Sequence, residues 1–192
     1  MASLNLREYT ILTADRNAFT LSTIQGILRS LGGNKLFEAK DALDVLRVLS
    51  LQKIDILLCD TKLPAFGGFE LVSAIRRNAN NENRAVPILM LASTTNEATV
   101  RSARDAGAHM VLQKPISPSA LHDRLQWVLQ HPRQFVETPN YTGPDRRFRI
   151  EGYPDGIGRR RSDTNEPVAD EAGPALPQGE IDDLFKSVQI GG

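Results

Sequence analysis

The segment Ile54-Asp-Ile-Leu-Leu-Cys59, ending against Asp60, is the strongest constraint on how this chain folds. It is almost wholly apolar and so offers no face to water. A short run of that kind reads as a central strand of a parallel sheet, covered on both faces. Parallel neighbours need crossover helices, and the flanking sequence supplies them. A strand is expected over 9–14. Phe19, Leu21, Ile24, Ile27, Leu28 and Leu31 then fall roughly on one helical stripe that stops at Gly32-Gly33. A second strand over 35–39 precedes a stripe of Ala42, Val45, Leu46 and Leu49. After Asp60 the pattern gives a helix over 69–77, a strand over 87–91, a helix over 96–106 and a short strand over 109–112. A helix over 118–130 closes it, with Leu121, Leu125, Val128 and Leu129 inward. Such alternation predicts an α/β fold: a five-stranded parallel, doubly wound (βα)5 sheet with right-handed crossovers.

Past His131 the character changes. Seven of the 11 prolines and eight of the 14 glycines lie beyond that point, and regular periodicity stops. We therefore expect a folded domain over 1–131, a largely disordered arginine-rich tail over 132–175, and a short amphipathic segment over 176–192. Net charge is zero, but residues 132–161 carry seven Arg against four acids, whereas 162–192 carry seven acids and only Lys186. Local charge of this kind selects partners better than the sum does. The single Cys59 excludes an internal disulfide framework and fits a reducing cytoplasm. No apolar run approaches the ~18 residues of a membrane span.

In a doubly wound sheet, function gathers at the carboxyl ends of the strands. Asp15, Asp60 and Lys114-Pro115 fall there. Together with Pro64-Ala-Phe-Gly-Gly68 and Gly107-Ala108, these residues resemble the receiver domain of two-component response regulators, over about residues 6–131. The resemblance implies Asp60 as the phosphoacceptor position and Lys114 as its cation. It also implies an Mg2+ site using Asp15 and Asp60, but the second acid that normally follows Asp15 is here Arg16, which competes with a metal and is able to pair with Asp60. The hydroxyl switch position is Ala92 and the aromatic one Val111. Two readings stay open: a drifted phosphorylation domain, or a receiver fold kept as a docking scaffold.

The tail repeats a unit. Tyr141-Thr-Gly-Pro-Asp145-Arg146-Arg147-Phe-Arg149 is answered twelve residues on by Tyr153-Pro-Asp155-Gly-Ile-Gly-Arg159-Arg160-Arg161. Arg forks hold phosphate or the O6/N7 edge of guanine, Asp accepts from the N1–H and N2–H of guanine, and Tyr offers a stacking face. A twofold ligand with two guanines and two phosphates matches a twice-repeated unit, and cyclic di-GMP is such a ligand. The whole is similar to the Cle group of CheY-like cyclic-di-GMP effectors. That resemblance implies dinucleotide binding by Tyr141, Asp145, Arg146, Arg147, Arg149, Tyr153, Asp155, Arg159, Arg160 and Arg161. It further implies docking on a flagellar motor switch protein of the FliM type, with recruitment to the motor at the cell pole. The alternatives are a solvated basic linker and a nucleic-acid-binding regulator.

Ile181, Leu184 and Phe185 form an apolar stripe flanked by acids, similar to the short peptides of switch proteins that dock on CheY. It would bind a separate partner, fold back on this domain, or remain a solvated tail. No nucleophile–base pairing or metal-ligand cluster points to catalysis, so a non-enzymatic adaptor is expected. A conventional phosphorylation-controlled regulator is its rival.

Overall fold

A computed structural model describes residues 4–146. Five strands, β1 (Thr10–Ala14), β2 (Lys35–Ala39), β3 (Ile56–Asp60), β4 (Ile88–Ala92) and β5 (Met110–Gln113), form one parallel sheet in the order β2-β1-β3-β4-β5. The helices between and after them are α1 (Ala18–Ser30), α2 (Ala42–Leu51), α3 (Gly68–Arg77), α4 (Glu97–Ala106) and α5 (Pro118–Gln130). Strand boundaries differ from expectation by one or two residues, as fraying ends do.

Strand parity divides the interior into two cores. Leu12, Ala14, Leu57, Cys59, Ile88 and Met90 point to the face covered by α2, α3 and α4. Their neighbours Ile11, Ile56, Leu58, Leu89 and Leu91 point to the face covered by α1 and α5. Successive side chains of a strand alternate faces, so a run that feeds both cores must be apolar throughout. All five residues of β3 and of β4 are buried.

Two expectations are corrected. Phe19 is not on the buried stripe of α1: it is 80% exposed. The buried set is Leu21, Ile24, Gln25, Ile27 and Leu28. At about 100° per residue, Phe19 lies some 200° round from Leu21. The cap agrees, because Asn17 Oδ1 accepts from the Phe19 and Thr20 amides and starts the helix there. The second correction concerns the tail. Residues 135–144 form an antiparallel hairpin of β6 (Phe135–Thr138) and β7 (Tyr141–Pro144), closed by a hydrogen bond from Thr138 Oγ1 to the Tyr141 carbonyl. The hairpin packs on the domain: Arg84 lies over the Phe135 ring at 5.1 Å and pairs with Glu137 at 3.1 Å. Residues 147–192, including the expected amphipathic segment, lie outside the described residues.

β7 crosses Gly107, which ends α4 in the left-handed region at φ 98°. A Cβ there would meet Arg76 Cγ at 2.9 Å and the Thr142 carbonyl at 3.2 Å, so only glycine fits. Beside it, His109 Nδ1 accepts from the Ile88 amide at 3.2 Å. An imidazole nitrogen that accepts is unprotonated, and burial, with the charges of Arg76 and Arg133, lowers the His109 pKa well below 6.5. Between pH 7 and pH 5 the unfolded histidine takes up a proton that the folded one does not, so stability falls with pH. His109→Asn, whose Oδ1 also accepts, is expected to remove about 2 kcal/mol of that fall. Urea unfolding of both chains at pH 7 and pH 5 measures it; parallel pH dependences would refute the assignment.

Candidate functional site

The acidic pocket is assembled from three strand ends. Asp60 closes β3, Asp15 follows β1 on the adjacent strand, and Lys114 follows β5. The Asp15 and Asp60 side chains are 1% and 7% exposed and that of Lys114 19%. Lys114 Nζ donates to Asp15 Oδ2 at 2.5 Å and lies 3.1 Å from Asp60 Oδ1. Asp15 Oδ1 accepts from the Asn17 amide at 2.8 Å, which ties the pocket to the start of α1. The backbone presses in from the other side. A Cβ on Gly68 would collide with the Asp60 carbonyl oxygen, so glycine lets α3 begin directly against β3. Ala65, in the same loop, holds a left-handed φ of 77°, a conformation that costs a non-glycine residue about 1 kcal/mol. Cys59 faces the core beneath; burial, then the charges of Asp60 and Asp15, push its thiol far above its ordinary range and leave it inert.

Arg16 does not occupy the pocket. It is exposed, and the cation on Asp60 is Lys114. The side chain that follows a strand end alternates outward, which takes Arg16 away from Asp15. Ala92 ends β4, fully buried, with its carbonyl accepting from the Lys114 amide at 2.8 Å. Val111, on β5, pairs with Met90 of β4 and is partly buried. Neither offers a polar atom to the pocket. This donor set is lean for Mg2+: two buried carboxylates share one ammonium and keep a net negative charge, but both oxygens of Asp15 and Oδ1 of Asp60 are already engaged and no third acid joins them among the described residues, which leaves few free oxygens for an octahedral ion.

A second cluster lies at the other end of the strands, where α4 ends and β5 begins. Arg146 packs its guanidinium over the Tyr141 ring, 3.5 Å from the centroid, and donates from Nη1 to Asp105 Oδ1 at 2.8 Å. The Tyr141 hydroxyl donates to the Pro144 carbonyl at 2.7 Å, and the Asp145 amide donates to the Gln134 carbonyl at 2.8 Å. Of the expected ligand residues, Tyr141, Asp145 and Arg146 are therefore brought together on the domain surface. Arg147, Arg149, Tyr153, Asp155, Arg159, Arg160 and Arg161 lie outside the described residues, as do Ile181, Leu184 and Phe185.

Sequence reasoning missed the residues that seat this cluster. Arg76 is wholly buried, donating from Nε to the Gly107 carbonyl at 2.9 Å and from Nη1 to the Arg84 carbonyl at 2.6 Å. Burial lowers its pKa to about 9. One signal pointed to it: Arg76 stands four residues after Val72, on the buried stripe of α3. For Asp105 no local signal exists, because its partner is 41 residues away in sequence.

The description of the response regulator receiver domain as a family matches residues 11–126. The chain belongs to that family. Among its relatives, the chemotaxis protein CheY-3 of Vibrio cholerae is 26% identical over 130 residues, spanning 68% of this chain and 98% of that protein. Among solved structures, the Vibrio cholerae chemotaxis protein CheY4 is 27% identical with a TM-score of 0.57, covering 62% of this chain and 96% of that one. The receiver domain of sensor histidine kinase PA1611 from Pseudomonas aeruginosa, solved with a magnesium ion in its active site cleft, is 28% identical with a TM-score of 0.58. It spans 64% of this chain and 98% of its own. The receiver's acidic pocket is thus the one that holds Asp60 and Lys114. The hairpin and Arg146 lie beyond the matched residues, whereas Asp105 and Gly107, which they pack against, lie within them. Among the described residues no helix is long and apolar enough to cross a membrane.

Proposed function

We propose that this receiver is a non-enzymatic effector of cyclic di-GMP, whose arginine segment binds the dinucleotide and sets how the domain docks on the flagellar motor switch. The observation that carries the reading is the Arg146–Tyr141 stack, 3.5 Å apart, at the head of a segment with seven arginines in residues 132–161. A guanidinium held on an aromatic face presents its edge donors to the phosphate or guanine edge they suit, and here Nη1 is engaged by Asp105. The doubled Tyr, Pro-Asp and Arg unit provides for two guanines. Likeness to a chemotaxis CheY supports a motor partner, and the 181–185 stripe gives a further contact, in cis or in trans. Recruitment from the cytoplasm to the motor would follow.

Calorimetric titration of the full chain with cyclic di-GMP tests this. Arg146→Ala/Arg147→Ala removes two charge-assisted contacts and is expected to weaken binding at least about a hundredfold. A chain ending at Asp145 should not bind. It keeps the hairpin over Gly107, which a cut at His131 would remove. Absence of saturable heat with the intact chain would sink the reading.

A second reading is supported by the 3.1 Å approach of Lys114 to Asp60: control by phosphorylation, with Asp60 as acceptor and Mg2+ recruited despite Arg16. It requires Asp60 to be labelled by a small phosphodonor with Mg2+ present, and the label to be lost in Asp60→Asn.

A further inference from the structure

The same carboxylate oxygen, Asp105 Oδ1, accepts from Arg146 Nη1 at 2.8 Å and from Arg104 Nε at 3.1 Å. Asp105 thus stands where an anionic ligand group would meet Arg146. The pair is open to water, the Arg146 side chain being 32% exposed and that of Asp105 46%, so an incoming phosphate reaches it without unfolding the domain. Asp105 is also the penultimate residue of α4. At the other end of that helix, Asn96 caps it and Thr95 Oγ1 donates to Gln113 Oε1, one residue before Lys114. α4 therefore runs from the acidic pocket to the arginine cluster, about 15 Å at the usual helical rise.

We propose that Asp105 is an internal competitor for the dinucleotide: it clasps Arg146 to the end of α4, and the ligand phosphate binds by displacing it. This rests on the cyclic-di-GMP reading above. Displacement removes one tie on the last turn of α4, that of Asp105 to Arg146, while Gly107 stays packed on β7, so the ligand state of the tail is transmitted to a helix that borders the acidic pocket. By linkage, whatever fixes α4 with the clasp closed weakens the dinucleotide to the same degree. Phosphate is the ligand group that fits, since it offers Arg146 a pair of fork-matching oxygens where the carboxylate supplies one.

The test uses the full chain and two measurements. Asp105→Asn keeps size but removes the competing charge, and cyclic di-GMP affinity by calorimetry is expected to rise about two- to fivefold, the range an exposed ion pair gives. Amide hydrogen exchange across residues 97–106 should quicken when ligand is added to the native chain. In Asp105→Asn it should be quick already and change little. Equal or weaker binding by the variant, with the native chain still binding, overturns the competition while leaving the cyclic-di-GMP reading intact. So does unchanged exchange in α4. No binding by the native chain overturns both.

Discussion

Arg76→Ala is expected to lower the free energy of unfolding by about 3–5 kcal/mol. The guanidinium is 0% exposed and feeds two carbonyls, of Gly107 and Arg84, from one planar group. Alanine would leave both acceptors without a donor, beside a void that the rigid contacts of Gly107 with β7 prevent from closing. Arg84 would be disturbed as well, because its Nε donates back to the Arg76 carbonyl at 3.3 Å. The charge itself contributes nothing favourable in so dry a place, and Nη2 has no hydrogen-bond partner among the described residues. Arg76→Met, which fills the volume and discards the charge, should therefore lose clearly less than alanine does. Chemical denaturation with m unchanged is the measurement. A loss under 1 kcal/mol for alanine, or methionine faring worse, would contradict this account of the hairpin seat.

Lys114→Met is the second large effect, a loss of about 2–4 kcal/mol. Asp15 and Asp60 are brought side by side by adjacent strands, and one ammonium serves both. Without it two buried carboxylates face each other, and one must take up a proton or draw in water. The lower end of the range reflects the partial exposure of Lys114, which leaves the pocket mouth wet. Asp60→Asn in the Lys114→Met background removes one of the opposed charges and should restore at least half of the loss. Should the double variant be no more stable than Lys114→Met alone, charge opposition is not what Lys114 relieves.

The two clusters lie at opposite ends of the strands of one sheet. Asp60 lies at the carboxyl end of β3 and Arg146 beside the amino end of β5, and α4 is the helix whose two ends approach both.

Local pattern alone is enough to specify the sheet and its pocket. Uniformly apolar runs in β3 and β4 are legible because both faces of a parallel strand are buried. The helices are legible because one stripe of each faces a core. Asp60 and Lys114 are legible because strand ends of a doubly wound sheet converge. These are properties of local pattern and of one topological rule. Other features depended on which distant segments meet. Pairing of Asp60 with Lys114, and not with Arg16, follows from where β5 ends relative to β3. Arg76 reads as one more surface cation until a hairpin 60 residues on lies across Gly107 and closes over it. The hairpin itself looks like tail in the sequence, since Phe135–Thr138 and Tyr141–Pro144 are four residues each, too short to carry a period of their own. They are held by Arg84, Gly107 and Asp105, and side chains contributed by another part of the chain leave no trace in the segment they hold.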